Sequence, residues 1–338
     1  MTDKGPGSGA EWIDGDVLNS DDLLDSMSEM NWLPIANQGR PNSGVVAFTR
    51  TTWSGVDTAG DIYTSTNSGS TWTSKNTTPN APGYIRLAKN DRTDAFFCEN
   101  SATSETAITT DSGATWTSKT SATFGTAVYD MSFPTSSLIV IAGDDGGGGN
   151  HIVYSNDSGA TWNDPTTPPG AAIYAVDFFD ASTGYAVDSS GNIYKTTDGG
   201  DNWTDTTDNL SGASAGDSIL VLTANTFIAV SNSTNYSVAT YDNSTNTVTD
   251  KVDFGAEQDI VLGIGQIDNG DVVVGLTDSA TNAVVTLLKS SDSGVTWSLI
   301  QEQSYSLSAV NDNKTRLSCY SEGFIFNSTL LRRIGLRD

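Results

Sequence analysis

The stretch TTDSGATW at residues 109–116 returns along the chain as STNSGSTW at 65–72, SNDSGATW at 155–162, TTDGGDNW at 196–203 and SSDSGVTW at 290–297. Each copy has Ser or Thr first, Asp third (Asn67 in the earliest), Gly fifth and Trp last. The closing residues Trp72, Trp116, Trp162, Trp203 and Trp297 are 44, 46, 41 and 94 residues apart. Self-similarity on that scale marks an array of equivalent supersecondary units.

The segments around each copy say what the unit is. A short apolar strand leads into it: DIYTST (61–66), AITT (107–110), HIVYS (151–155), NIYKTT (192–197) and TLLKS (286–290). A second precedes that, as VVAFTR (45–50), DAFFCE (94–99), LIVIAG (138–143) and VVVGLT (272–277). A third stands earlier still, as YIRLAK (84–89), VYDMSF (128–133) and YAVDFF (174–179), and a fourth follows the Trp, as in WTSKN and WTSKT. Three strands, a turn and a fourth strand per repeat is the pattern of a propeller blade.

The interval of 94 hides a further copy, VATYDNSTNTVTD at 238–250, with Val248 in the Trp place. Trp32 lies 40 residues before Trp72 and reads as a fourth strand without its first three. Those three are expected at the other end, as YSLSAV (305–310), TRLSCY (315–320) and GFIFNST (323–329). The fold expected is therefore all-β: a seven-bladed β-propeller of four-stranded antiparallel blades over residues 31–338. The N-terminal strand closes the ring and hides its edge. Residues 1–30 form a leader with a short helix.

The chain of 338 residues carries 41 acidic against 16 basic residues, a formal net charge of −25. Such a surface repels phosphate backbones and anionic lipid heads, which argues against nucleic acid as a partner. No apolar run is long enough for a membrane span or a signal-peptide core, so no membrane insertion is expected. Two origins of the charge compete: a solvated surface adapted to high salt, or a set of carboxylate cation sites. The spread of Asp through nearly every loop and the scarcity of Lys favour the first. Cys98 and Cys319 read as buried free thiols.

The phrase S/T-x-D-x-G-x-T-W resembles the Asp-box, or bacterial neuraminidase repeat, of sialidases and many non-enzymatic propellers. In such repeats the Asp accepts N–H bonds from the turn between third and fourth strands, Gly supplies a positive φ, and Trp packs between blades. That resemblance makes Asn67, Asp111, Asp157, Asp198 and Asp292 turn staples on the rim away from the ligand face. Equivalent carboxylates around a ring lie too far apart to converge on one substrate.

Sialidases also need a three-Arg clamp, a Tyr nucleophile with a Glu partner, and an Asp acid/base. The eight Arg include no Arg-Ile-Pro motif, and the seven Glu lie in no recognisable nucleophile-activating context. The lone His151, read as an exposed strand-start residue, excludes His triads and multi-His metal sites. The chain is expected to be no enzyme, with a sialidase-like glycoside hydrolase as an alternative.

The leader supplies the functional clue. Ser20 suits a helix N-cap, Asp21 and Asp22 suit the positive end of its dipole, and Leu23, Leu24, Met27 and Met30 form an apolar stripe. The pattern carried by Trp12, Asp14, Gly15, Val17, Leu18, Asp22 and Leu23 resembles a segment near the start of tailed-virus tail fibres and related appendages. Leu24 replaces the Asn usual there. The resemblance implies a virion structural protein, assembled in the host cytoplasm, anchored to other virion proteins through Trp12, Leu18, Leu23, Leu24 and Met27. A homo-oligomer is compatible with that reading. The rival is an Asp-box scaffold or assembly-factor propeller.

The displayed propeller would then bind a host cell-surface glycan or glycoprotein through loops between second and third strands. In those loops Trp53 and Tyr236 offer faces for sugar stacking. Asp57, Asp144, Asp145 and Asn150 offer oxygens for hydroxyls or a hard cation, so a structural Ca²⁺ or Mg²⁺ is the one cofactor considered.

Overall fold

The computed structural model describes residues 44–335, apart from 50, 58, 77–82, 89–90, 102–103, 123–126, 148–150, 211–217, 231–237, 253–259, 268, 278–283, 305–316, 321–322 and 327–331. Its strands form seven antiparallel sheets, each built from consecutive segments. The first holds β1 (Gly44–Ala47), β2 (Trp53–Val56), β3 (Ile62–Ser65) and β4 (Thr73–Asn76). The second holds β5 (Gly83–Ala88), β6 (Asp91–Glu99), β7 (Thr106–Thr109) and β8 (Thr117–Lys119). The third has β9 (Ala127–Ser132), β10 (Ile139–Asp144) and β11 (Ile152–Ser155). The fourth has β12 (Ile173–Phe178), β13 (Gly184–Asp188), β14 (Asn192–Thr196) and β15 (Thr204–Asn209). The fifth has β16 (Ser218–Val221), β17 (Thr226–Val230), β18 (Val238–Asp242) and β19 (Thr247–Val252). The sixth has β20 (Ile260–Gln266), β21 (Val272–Thr277), β22 (Val284–Ser290) and β23 (Ser298–Ser304). The seventh has β24 (Leu317–Tyr320), β25 (Gly323–Phe326) and β26 (Arg332–Gly335).

The leading strand of each sheet lies beside that of the next, from β1 through β5, β9, β12, β16 and β20 to β24, and β24 lies against β1. This is a β-propeller. The pattern explains why its strands read as continuous apolar runs rather than alternating ones: a blade buries both faces. Along β10, Ile139 and Ile141 pack toward the second sheet while Val140 and Ala142 pack toward the fourth. Along β6, Phe96 and Cys98 face the third sheet while Ala95 and Phe97 face the first.

The repeat Trp residues fill the seams between these faces. Trp116 packs between the first and second sheets, Trp162 between the second and third, Trp203 between the third and fourth, and Trp297 between the fifth and sixth. Val248 takes the same place between the fourth and fifth, so the copy without a Trp keeps its position and part of its apolar volume. Trp72 lies on Val45, Ala47 and Trp53, the face of the first sheet turned from the second. The Cys98 thiol is free and fully buried, and burial, with Glu99 second, pushes its pKa up.

Three expectations on strands need correction. VVAFTR holds the leading strand of the first sheet, not its second; the second is WSGV, whose Ser54 and Gly55 break the apolar pattern. The third sheet has three strands, not four. After Trp162 the sequence NDPTTPP carries Pro165, Pro168 and Pro169, which cannot donate to a ladder. Only a single Tyr154–Asn163 bridge forms, and the chain then crosses to the fourth sheet through a Thr167–Asn202 bridge. In the seventh sheet, TRLSCY supplies the leading strand rather than the second, and the third is Arg332–Gly335. The expected strands at 305–310 and Trp32, and the leader with Trp12, Leu18, Leu23, Leu24 and Met27, lie outside the described residues.

Candidate functional site

The two ends of the strands differ in chemistry. At one end stand the five repeat turns, built alike. The first-position hydroxyl of Thr109, Ser155, Thr196 or Ser290 donates to the carboxylate two residues on, at 2.8–2.9 Å. The same hydroxyl oxygen accepts the N–H of the Gly four residues on. The carboxylate also accepts the N–H of Thr115, Thr161, Asn202 or Thr296. Its second oxygen takes that residue's side-chain donor. Both oxygens of Asp111, Asp157, Asp198 and Asp292 are thus engaged within their own turns. Asn67 copies the set with one inversion: its Nδ2 donates to the Thr71 hydroxyl, at 2.9 Å.

These bonds favour the ionised form. The Thr161 hydroxyl and N–H and the Ser155 hydroxyl hold Asp157 at about 2, and the equivalent donors, led by the Thr296 hydroxyl, hold Asp292 at about 2. At Asp111 burial pushes the pKa up, but the bonds from Thr115 and Thr109 outweigh it and the net direction is down.

The turn backbone has two successive left-handed residues. Ser112 and Gly113 have φ of 56° and 78°, and Ser158 and Gly159 have 61° and 78°. The Gly is required twice over, because a Cβ on Gly113 would lie 2.2 Å from the Ser54 Oγ of the preceding sheet. The Ser is not required: the fourth copy has Gly199 in that place. A groove of about 450 Å³ at this end runs among Thr64, Thr66, Thr73, Lys75 and Asp111. Its Lys75 is tied across the seam to the Ala114 carbonyl.

At the opposite end an acid closes or directly follows each described second strand of the first four sheets: Asp57, Glu99, Asp144 and Asp188. Three of them close their own loop. Asp57 accepts the N–H groups of Ala59 and Asp61 and the Tyr63 hydroxyl. Glu99 accepts the Ser101 hydroxyl and the Glu105 N–H. Asp188 accepts N–H bonds from Ser190 and Asn192 and the Tyr194 hydroxyl.

The third sheet departs from this. Asp144 and Asp145 each take one glycine N–H, from Gly146 and Gly147, and both face the His151 imidazole. The Nδ1 of His151 stands 3.8 Å from an Asp144 oxygen and 3.7 Å from an Asp145 oxygen, too far for hydrogen bonds. That nitrogen is buried and has no hydrogen-bond partner among the described residues. Leaving such a group unpaired costs about 1–3 kcal/mol. Asp144 also acts on Tyr129, whose pKa is raised first by burial, then by Asp144, then by Tyr174. Tyr129 and Tyr174, from the leading strands of the third and fourth sheets, meet edge to face at 5.1 Å.

Two more carboxylates link leading strands to their neighbours. Asp130 accepts the Val176 N–H, and Asp177 accepts the Val221 N–H at 2.8 Å. Both belong to the scaffold.

The sequence-derived site divides accordingly. Asp144 and Asp145 lie together, with His151 as a third member. His151 is 6% exposed and so is not an exposed strand-start residue; its burial was not legible from the polar, Gly-rich sequence before it. Trp53 is not a stacking face. It is 1% exposed, packs at 6.5 Å from Trp72, and its indole N–H donates to the Thr49 carbonyl. Asp57 is a loop staple. Asn150 and Tyr236 lie outside the described residues. Tyr129 and Tyr174 were missed because they sit within apolar strands.

No family model matches the chain, and no curated protein does. Solved structures do match in fold. The chain is similar to YCF48 bound to D1 peptide, with 13% identity, a TM-score of 0.57, and coverage of 90% of this chain and 98% of that one. It is similar to the WD40 β-propeller domain of Doa1, with 15% identity, a TM-score of 0.60, and coverage of 91% and 98%. A Bacteroides thetaiotaomicron protein of unknown function matches at 12% identity and a TM-score of 0.55, over 90% of this chain and 72% of that one. At these identities the likeness speaks to fold alone.

Proposed function

We propose that this chain is a non-enzymatic structural protein of a virion, a tail fibre, tail appendage or capsid decoration. Its propeller recognises a host-surface glycan or glycoprotein through the end opposite the repeat turns. The observation that carries the reading is the contrast between the two strand ends. The repeat carboxylates are consumed by their own turns, whereas the opposite loops differ from sheet to sheet on a rigid support, which is how binding loops are arranged. The leader pattern at Trp12–Leu23 supplies the virion context. A net charge of −25 disfavours an anionic sugar at bare carboxylates and favours neutral hydroxyl-rich glycans or a basic protein segment.

The test is binding of the full chain to host cells and to a glycan array, with and without exchange of loop 143–151. Binding that drops at least tenfold on exchange supports the reading. No binding to host surfaces, or binding indifferent to the loop, rejects it.

A second reading, a scaffold or assembly propeller that takes a peptide, is favoured by the likeness to a propeller solved with a peptide bound. A peptide array read alongside the host-cell assay separates the two, since the scaffold reading expects tight binding to a peptide and none to intact host surfaces. Sialic-acid or reducing-sugar release in a hydrolase panel would support the third, sialidase-like reading instead.

A further inference from the structure

We infer that Asp144, Asp145 and His151 form a binding site for one divalent transition-metal ion of the zinc type. The site does not depend on the host-surface reading, because it is assayed on the protein alone. One imidazole nitrogen and two carboxylates present their donor atoms within 4.8 Å of one another. The two nitrogen-to-oxygen separations are 3.7 and 3.8 Å. Donors arranged tetrahedrally around zinc at about 2.1 Å stand about 3.4 Å apart, so each nitrogen–oxygen pair needs to close by only a few tenths of an ångström.

The second observation is independent of the acids. The His151 side chain is 8% exposed, its Nδ1 is sealed from solvent, and it points between the two carboxylates with no hydrogen bond of its own. Asp57 and Asp188, at equivalent strand ends, have no such partner; they are spent on N–H groups and a Tyr hydroxyl.

The donor set selects the ion. A buried imidazole suits zinc, cobalt, nickel or copper, while calcium and magnesium prefer six or more oxygens or retained water. Two carboxylates balance the ion's charge. For Nδ1 to offer its lone pair the ring proton must sit on Nε2. The Asp144 side is 36% exposed, so water or a ligand oxygen can complete the shell. A bound ion would present a positive centre on an otherwise acidic end.

The experiment is equilibrium dialysis with metal analysis, plus Co²⁺ absorption spectroscopy, on untagged full-length protein. The wild type is compared with His151→Ala and with the Asp144→Asn, Asp145→Asn double variant. His151 is the only histidine, so an imidazole–cobalt signature reports this site alone. The inference expects one Zn²⁺ per chain, with affinity at least ~100-fold above that for Ca²⁺ and Mg²⁺ and lost ~100-fold or more in both variants. It expects the variants' thermal unfolding midpoints, measured without metal, to equal or exceed the wild type's, since the unpaired nitrogen or the like-charge pair is gone. Absent Zn²⁺ uptake, uptake unchanged by His151→Ala, or Ca²⁺ binding as tight as Zn²⁺ each overturns it. Should His151→Ala fail to fold, wild-type Co²⁺ spectra and the double variant decide the matter.

Discussion

The repeat-turn end and the opposite loop end are made by the same strands, yet they obey different rules. At the first, four turns share one bonding scheme down to the donor on each carboxylate oxygen, and the fifth copies it with Asn67 as donor in one bond. At the second, four acids occupy equivalent strand ends, and three close their loops while the fourth faces a buried imidazole. Repetition here identifies the scaffold, and the departure from repetition identifies the candidate site. Carboxylates that look like a row of active groups are each held by donors of their own turn.

The comparison breaks most readily at glycine. Gly113→Ala places a Cβ 2.2 Å from Ser54 Oγ and 2.8 Å from Thr64 Oγ1, and those two hydroxyls share a buried hydrogen bond of 2.7 Å. With φ at 78° as well, the substitution is expected to destabilise by about 3 kcal/mol in urea unfolding. Gly147→Ala, at the loop end, meets nothing within 4 Å and should change stability by less than about 0.5 kcal/mol. Equal effects would erase the distinction between the ends.

Acid sharpens it next. Asp157 and Asp292 lie at about 2 in the fold, against roughly 3.9 when unfolded. The unfolded chain therefore binds more protons in that window. The contribution is fully present above about pH 5 and is lost as the pH falls toward 2. Asp157→Asn is expected to flatten the fall in urea midpoint between pH 5 and 2.5, and Asn67→Asp to steepen it. Identical slopes for all three proteins would show that the turns do not carry this linkage.

The smallest effect concerns the left-handed Ser. Ser112→Gly imitates the fourth copy, relieves a strained φ and loosens the unfolded chain. These terms oppose, and a net gain below about 1 kcal/mol is expected by the same unfolding measurement.

Most of the propeller was legible in the sequence because its period is enforced by packing: each Trp, and Val248 in its stead, must reach the same seam. The second strand of the first sheet was not. Ser54 is buried only because Thr64 offers it a hydroxyl, and a buried polar pair reads as a loop in one dimension. Trp53 was misplaced with it. The three-stranded third sheet was written in Pro165, Pro168 and Pro169, though period counting passes over them. Of the candidate site, the acids could be read but the imidazole's burial could not, since it depends on tertiary packing around the start of β11 that a single polar His among Gly and Asp does not announce.

The repeat glycines give the ring a direction. Gly113 rests on Ser54 and Thr64, Gly159 on Phe96, Gly200 on Tyr154 and Val140, and Gly294 on Ile228 and Thr240, in every case the sheet before its own. A junction is thus written jointly by a late turn and the preceding sheet's middle strands. A recombination point placed between sheets would separate the two halves of that agreement. Successive agreements overlap along the chain, Ser54–Gly113 with Phe96–Gly159, so a crossover cut through the middle of a sheet would separate two of them at once, and the inheritable module of this array is a run of adjacent sheets rather than one blade.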